Sequence, residues 1–247
     1  MDRLIYTSLS AMRGAMARQQ ATANNLANAA TPGFRGEIAE AQALWVNGPS
    51  LPDRAMASEE VVNADMKAGS VTATGRDLDV SLSGDSLLAV QSQEGEEAYT
   101  RRGDLQVSES GLLTTGDGHP VLGQGGPITI PPADKITIAE DGRIMIVPAG
   151  GDAANPQEVD RLKVASTAGS AIAKGLDGLF RVKGGGVLPT DPDARVKSGQ
   201  LEESNVSSTK ALVDMIDASR AWDTQLKLIT SARDLDSASA ELMRLPQ

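Results

Sequence analysis

The sequence of 247 residues contains no cysteine, a single histidine and only two residues each of Trp, Tyr and Phe. Without cysteine the chain has no disulfide framework, no thiolate nucleophile and no thiolate metal site. The few aromatic side chains leave little material for lining a small-molecule pocket. We therefore expect no cofactor, no bound metal and no enzymatic activity.

Basic clusters and long apolar runs are also missing. The formal net charge is -10 and no dense Lys/Arg block occurs, which excludes a nucleic-acid-binding surface. Nowhere do about 18 apolar residues run together, so no membrane span is expected. Residues 1–20 carry apolar residues at helical spacing interrupted by Arg13 and Arg18, unlike a cleavable signal peptide. If the protein leaves the cytoplasm, it needs another route.

The residues that could carry chemistry stand in turn sequences. His119 lies in Gly-Asp-Gly-His-Pro beside Asp117, but no nucleophile elbow accompanies it. The Asp-Pro-Asp at 191–193 lacks the spacing of a calcium loop, and the glycine clusters lack the spacing of a phosphate loop. His119 is interpreted as a turn residue and the Asp-containing segments as solvated turns, and no phosphate loop is indicated.

Apolar residues recur at alternating three- and four-residue steps at both ends of the chain, which indicates two helices with a heptad seam. In the first they are Ile5, Leu9, Met12, Met16, Gln19, Ala23 and Leu26, and in the second Leu212, Met215, Ser219, Trp222, Leu226 and Ile229. Ser204 or Asn205 would cap the second helix. Over about 28 and 40 residues these helices would reach about 42 Å and 60 Å, too long for a compact domain.

Between the helices the apolar period falls to two. Alternation at Leu78, Val80 and Leu82 is repeated at residues 105–107, and isoleucines continue it through 128–146, with Gly-containing turn signals between the runs. The pattern predicts an all-β sandwich or irregular barrel. The predicted fold class is α+β, with long coiled-coil-like N- and C-terminal helices flanking an all-β central domain. Its segments are a helix at 1–33, an extended connector at 34–72, the β domain at 73–196 and a helix at 197–247.

The end of the first helix, Ala-Thr-Ala-Asn-Asn-Leu-Ala-Asn-Ala-Ala-Thr-Pro-Gly-Phe-Arg at 21–35, has more asparagine than a helix terminus needs. Pro32 disfavours the α conformation of the preceding residue and Gly33 allows the chain to turn. Asn24, Asn25 and Asn28 could in addition bond to the backbone of a partner. Small and amide residues dominate the outer helix faces, among them Ala15, Ala21, Ser219, Ser231 and Ser237, which suits close packing against other chains.

The segment Asn-Asn-Leu-Ala-Asn-Ala-Ala-Thr-Pro-Gly-Phe at 24–34 resembles the N-terminal signature of the bacterial flagellar rod and hook proteins. Four further blocks resemble the same family in the same order, at 78–91, 99–123, 178–182 and 201–216. The opening dozen residues look more like the proximal-rod member than the distal-rod member. Two positions depart from the pattern: Ser86-Leu87-Leu88 replaces a Gly-Phe-Phe, and Glu203 replaces a glycine.

The resemblance implies a structural subunit of the flagellar basal body that polymerises helically with copies of itself and other axial proteins to transmit torque across the periplasm. It also implies passage through the flagellar type III export apparatus, and terminal helices that form the inner layer of a tube. The assembly interface is then predicted to comprise Ile5, Leu9, Met12, Met16, Asn24, Asn25, Leu26, Asn28, Pro32, Gly33, Phe34, Leu212, Met215, Trp222, Leu226 and Ile229.

Two alternatives stay open on the sequence. One is the distal-rod protein of the same family. The other is a secreted β-sandwich that binds or hydrolyses carbohydrate, which should show a carboxylate pair or an aromatic platform in its β domain.

Overall fold

The computed structural model describes residues 2–45 and 55–242, without the side chains of 2–7, 40–62, 236, 240 and 242. The described residues form two compact units. The helical unit draws on 1–27, 37–63 and 207–247, and the β-rich unit on 28–36 and 64–206. Each unit therefore combines segments from distant parts of the chain.

The helical unit contains α1 (Asp2–Ala27), α2 (Ser208–Leu242) and a two-stranded sheet of β1 (Glu37–Trp45) and β2 (Ala55–Ala64). Both helices contact each other, and α1 also contacts β1. The cap of α2 is Ser207, whose hydroxyl accepts from the backbone N–H of Lys210 at 3.4 Å. The predicted cap at Ser204 or Asn205 is therefore wrong.

The buried side of α1 is made of small residues. Ser10, Ala15 and Ala21 are 8%, 3% and 3% exposed, and Gly14 is buried with them. Small side chains let a neighbouring backbone approach closely, so this face packs within the unit. The sequence analysis had placed Ala15 and Ala21 on an outer face, and that placement is wrong.

The β-rich unit is built from short strands, and its largest sheet has five in the order β12-β5-β6-β14-β13. The strands of the unit are β3 (Val71–Ala73), β4 (Val80–Leu82), β5 (Leu87–Gln91), β6 (Glu97–Thr100), β7 (Leu105–Val107), β8 (Leu113–Thr115), β9 (Ala133–Ile138), β10 (Arg143–Pro148), β11 (Gln157–Arg161), β12 (Val164–Ala165), β13 (Ile172–Lys174), β14 (Phe180–Val182), β15 (Val196–Ser198) and β16 (Gln200–Glu202). The other sheets are β11-β10-β9 and the pairs β15-β4, β16-β3 and β7-β8.

The five-stranded sheet is buried on both faces. Along β5, Leu88 and Val90 belong to a main apolar cluster, whereas Leu87 and Ala89 belong to a second cluster. Successive strand residues point to opposite faces, so one strand supplies both clusters. Leu87 and Leu88 are both 0% exposed, and burying a leucine stabilises a fold by about 1.5 to 3 kcal/mol. These two residues replace the family's aromatic pair without leaving the core.

The isoleucine alternation in the sequence marks the main cluster correctly. Ile144 and Ile146 of β10 face Ile138 and Ile136 of β9, and all but Ile136 are at most 6% exposed. The predicted alternation of buried and more exposed residues is confirmed in these two strands, because one side of the sheet β11-β10-β9 faces the core.

The predicted fold class is wrong as stated. Strands β1 and β2 belong with the terminal helices rather than with a central domain, and they occupy the stretch expected to be a connector. The β-rich centre is divided among several short sheets instead of forming one sandwich or barrel. One N-terminal helix, one C-terminal helix and β-rich structure between them remain.

Candidate functional site

Asn25 binds the first strand of the helical unit with both ends of its amide. Its Oδ1 accepts from the backbone N–H of Glu37 at 2.7 Å, and its Nδ2 donates to the backbone carbonyl of the same residue at 2.9 Å. The Nδ2 of Asn24 donates to the Glu37 carboxylate at 2.5 Å. The side-chain amide of Asn25 thus makes the two backbone hydrogen bonds that a neighbouring strand would otherwise make with Glu37. These bonds fix the position at which β1 begins beside α1.

Asn28 shapes the turn that follows α1. Its backbone carbonyl accepts from the Thr31 N–H at 3.1 Å, and its side-chain oxygen accepts from the Thr31 hydroxyl at 3.2 Å. The Thr31 carbonyl then accepts from the N–H of Phe34 at 3.2 Å. The three asparagines of this segment therefore bond to groups of the same chain.

Gly33 is required by its backbone conformation and by a close contact. Its φ is +67°, and a Cβ there would lie against the carbonyl of Arg101 and 2.6 Å from the backbone nitrogen of Arg102. Its N–H donates to the backbone carbonyl of Glu202 at 2.7 Å. Only glycine takes this φ at little cost and leaves room for the neighbouring backbone of residues 101–102.

Glu202 lies between two arginines in the interior of the β-rich unit. Its Oε1 pairs with Nη2 of Arg35 at 2.7 Å, and its Oε2 pairs with Nη2 of Arg101 at 2.6 Å. Both side-chain pairs are only 2% exposed. The backbone N–H of Gly69 also donates to Oε1 at 2.9 Å. We call Arg35, Arg101, Glu202 and the groups bound to them the buried ion cluster.

Backbone carbonyls complete the buried ion cluster. Arg101 donates to the carbonyls of Leu82, Gly84 and Ser86 at 2.6 to 2.8 Å. Arg35 donates to the carbonyl of Lys67 at 2.7 Å, while its Nε has no partner. Burial lowers the pKa of the Arg35 guanidinium, Glu202 raises it, and the charge of Arg101 lowers it further. Two cations thus share one carboxylate in a site closed to water.

Asn205 has the same role in the β-rich unit as Asn25 has in the helical unit, because both ends of its side-chain amide bond to backbone groups. Its Oδ1 accepts from the N–H of Gly36 at 2.8 Å, and its Nδ2 donates to the carbonyls of Asp65 and Lys67 at 2.7 and 3.0 Å. Its own N–H donates to the carbonyl of Phe34 at 3.3 Å. The residue expected to cap α2 instead holds together three segments that are far apart in the sequence.

Phe34 and Pro32 lie in the region where these segments meet. We call this region the junction (residues 32–36, 65–69, 101 and 202–205). The Lys174 ammonium stands 3.6 Å from the centre of the Phe34 ring and donates to the Arg35 carbonyl at 3.0 Å. A cation over an aromatic face is favourable, and more so when it is partly desolvated. Pro32 is half-buried.

Glu203, which departs from the family pattern, is exposed beside this junction. Its carboxylate accepts from the hydroxyls of Thr72 and Ser70 at 2.6 and 2.7 Å, and these hydrogen bonds hold its pKa below the usual range. The substitution for glycine is thus accommodated at the surface.

The large apolar residues of the heptad seam are only partly buried in the helical unit. Leu9, Met16, Leu212 and Leu226 are 42%, 56%, 50% and 41% exposed. Half-buried members of the seam are Met12, Leu26, Met215, Trp222 and Ile229. Ile5 lies in α1, but its side chain is outside the described residues. The subunit alone does not bury its apolar stripe.

The turn residues have structural roles. His119 is buried, its backbone N–H donates to the Thr115 hydroxyl at 3.2 Å, and that hydroxyl donates to the Asp117 carboxylate. Among the residues described, no group of acidic or histidine side chains could hold a metal ion. No helix within 2–45 or 55–242 is long and apolar enough to cross a membrane.

Replacing Gly33 by alanine tests the close contact. Gly84 has a similar φ of +65° with open space around it, so Gly84→Ala carries the conformational strain alone, about 1 to 2 kcal/mol. Gly33→Ala must also displace the Arg101 backbone, which adds about 1 to 3 kcal/mol. Urea unfolding of the purified chain should separate the two variants by that amount. Equal losses of stability would mean that the contact is not tight.

Comparisons with known proteins agree with this arrangement. Three family models match: the flagellar basal-body rod protein model at 5–35, the flagellar hook protein FlgE/F/G D1 domain at 81–146 and the flagellar basal-body rod FlgEFG C-terminal model at 197–242. The first contains the asparagines and Gly33, and the third contains Glu202 and Asn205. The two terminal family models therefore span the segments in which these residues lie.

The chain also has full-length relatives. It is 42% identical to the flagellar basal-body rod protein FlgF of Escherichia coli K12, over 99% of this chain and 100% of the relative. It is 41% identical to FlgF of Salmonella typhimurium over the same shares, and 29% identical to the rod protein FlgG of Bacillus subtilis over 99% and 100%. By this full-length similarity and by the ordered family matches, the chain belongs to the family of flagellar basal-body rod proteins.

Proposed function

We propose that the chain is a non-catalytic subunit of the proximal rod, which polymerises helically with copies of itself and other axial proteins and so transmits torque across the periplasm. The observation that carries this proposal is the apolar stripe left open on α1 and α2. A helix of a soluble monomer normally turns such a stripe toward its own core. Contiguous exposed apolar residues mark contacts with other molecules.

The proposed assembly surface is the apolar heptad part of the predicted interface. Its members with the largest exposed apolar area are Leu9, Met16, Leu212 and Leu226. Asn24, Asn25, Asn28 and Gly33 contribute indirectly, because their bonds within the chain fix the end of α1 and the start of β1. In this proposal the asparagines position the surface rather than touch the neighbour.

We further propose that the chain reaches the rod through the flagellar export apparatus, the route that the family resemblance implies. Residues 5–35 match the flagellar basal-body rod protein model, and α1 within them supplies a buried face to the helical unit.

The alternatives receive less support. A carbohydrate platform needs exposed aromatic rings, but Tyr99 and Phe180 are 0% and 3% exposed and belong to the second cluster. Burial raises the pKa of Tyr99 to about 12, in keeping with an interior phenol. Identity to two FlgF proteins is higher than to FlgG of Bacillus subtilis, which favours the proximal over the distal position.

A clean deletion of the coding region tests the proposal. Swimming should be lost, basal bodies should stop growing before the rod is complete, and the growth rate should be unchanged. Complementation with the intact chain should restore rods, and the chain should be recovered in isolated basal bodies. A deletion strain that swims normally would refute the proposal.

A further inference from the structure

Arg13 is a charged residue within the exposed apolar stripe of α1. It follows Leu9 by four residues and precedes Met16 by three, so the three side chains lie on one face of the helix. All three are exposed. Among the residues that the structure describes, Arg13 makes no ion pair and no side-chain hydrogen bond. The described part of the subunit thus gives this cation no partner.

Asp223 is the counterpart of Arg13 on α2. It follows Ile216 by seven residues and precedes Leu226 by three, so an exposed carboxylate again lies on one helix face with exposed apolar residues. Arg220 and Lys227 lie within about one turn of Asp223 on the same helix. Asp223 nevertheless makes no ion pair with any residue whose side chain is described. Each stripe therefore carries one unpaired charge, and the two charges have opposite signs.

The two helices as a whole also differ in charge. The sequence of α1 contains three arginines and one acidic residue, whereas that of α2 contains six acidic and four basic residues. An α1 helix is therefore attracted to an α2 helix, while two α1 or two α2 helices repel each other. This complementarity favours contacts between the unlike helices of neighbouring copies.

The helices α1 and α2 run antiparallel. Gly33 lies six residues beyond the end of α1, and its N–H donates to the carbonyl of Glu202, six residues before the start of α2. The first helix therefore ends close to the place where the second begins, and the two helices contact each other. Distances measured along both helices from these ends can thus be compared directly.

Arg13 and Asp223 lie at the same height along the helical unit. At 1.5 Å per residue, Arg13 lies about 21 Å before the end of α1 and Asp223 about 22 Å beyond the start of α2. Leu9 and Leu226 match in the same way, since each lies about 27 Å from the same helix ends. Two copies that stand side by side and point the same way would therefore bring both pairs together.

We propose that the α1 stripe of one copy packs against the α2 stripe of a neighbouring copy at the same height, with Arg13 paired to Asp223 and Leu9 beside Leu226. The two stripes differ, so each copy offers α1 to one neighbour and α2 to another, and the contact propagates. The charge pair selects the register, because a shifted pairing would leave both charges unpaired against apolar residues. The inference rests on the proposed function and names the partner that the assembly surface binds.

Charge reversal tests this pairing in a strain that produces no wild-type chain. Arg13→Glu or Asp223→Lys alone should reduce the chain recovered in isolated basal bodies about tenfold, because each places like charges together. The two changes combined should restore recovery to within about twofold of wild type. The matched control combines Arg13→Glu with Asp217→Lys. Asp217 is exposed on a face of α2 turned by about 120° from Asp223, so this control should be recovered no better than Arg13→Glu alone.

Single variants recovered like wild type, or a charge-swapped chain recovered no better than the mismatched control, would overturn the inference. Wild-type chain missing from basal bodies would instead refute the rod assignment, so the two failures are distinguishable. 

A disulfide test does not depend on the charged variants, and the chain has no cysteine to interfere. Leu9→Cys combined with Leu226→Cys should give dimers and higher multiples in oxidised basal bodies, because the paired Cα atoms lie within reach of a disulfide. Leu9→Cys combined with Leu235→Cys should give none, since the exposed Leu235 lies about 13 Å further along α2. Equal cross-linking of the two combinations would also overturn the inference.

Discussion

Glu202→Gln should reduce the stability of the β-rich unit by about 3 to 5 kcal/mol, the cost of leaving buried charges unpaired. The amide keeps the size of the carboxylate but carries no charge, so Arg35 and Arg101 would face each other without a counter-ion in a site 2% exposed. Because domains are stable by only about 5 to 15 kcal/mol, this loss should be visible as a large shift in the urea midpoint.

The neighbouring residue supplies the control for that experiment. Glu203→Gln removes a carboxylate with the same change of charge, but from an exposed position bound by two hydroxyls. Its effect should stay within about 0.5 kcal/mol. If the two variants lose similar stability, the buried ion cluster contributes no more than a surface carboxylate and the reasoning fails.

Leu226→Asp combined with Ile229→Asp should abolish rod completion and swimming. Losing a buried leucine or isoleucine costs about 2 to 5 kcal/mol, and an unpaired carboxylate in the same place costs more. In the free subunit Leu226 is 41% exposed and Ile229 half-buried, so most of the penalty should arise on assembly. Every subunit of a helical polymer repeats the contact, so each addition is penalised.

Thr224→Asp combined with Ala238→Asp adds two carboxylates at exposed positions on the side of α2 away from Leu226 and Ile229, and this variant should leave swimming intact. Thermal unfolding of the β-rich unit, which contains neither pair, should be unchanged in both double variants. Rods built by the Leu226/Ile229 variant would show that the stripe is not an assembly surface. Loss of helical circular dichroism at a lower temperature in the purified Leu226/Ile229 variant would show that these residues stabilise the helical unit itself.

Local patterns in the sequence predict the regular elements well. The heptads at both ends mark α1 and α2, and the alternation of Ile138, Ile144 and Ile146 marks the main cluster. These predictions succeed because helical and strand periodicity depends on neighbours within a few residues. The same rules could not assign β1 and β2 to the helical unit, since that grouping depends on packing between distant segments.

The residues of the junction were missed for the same reason. Arg35, Arg101 and Glu202 look like ordinary surface charges in a sequence, and Asn205 looks like a helix cap. Their partners lie up to 169 residues away along the chain. The sequence does contain one signal for them, since each of these residues falls in or next to a segment that resembles the family. A charged or amide side chain in such a segment often has a buried partner.

The sequence also does not predict which face of α1 is buried within the helical unit. The small residues Ala15 and Ala21 are predicted on an outer face, yet they are buried together with Ser10 and Gly14. Small residues permit close backbone approach within the unit, so the larger side chains remain available for other contacts. Hydrophobicity alone does not distinguish an internal face from an assembly face.

The bonds between Gly33, Gly36 and residues 202–205 also set the order in which the protein can fold. A polypeptide is synthesised from its N-terminus, and β3 cannot pair with β16 until nearly all of the β-rich unit has been made. Contacts of such long sequence separation form late, because the intervening chain must first be ordered. The unit therefore stays incomplete throughout translation until only α2 remains to be added. A newly made chain therefore cannot complete the β-rich unit before residues 202–205 have been synthesised.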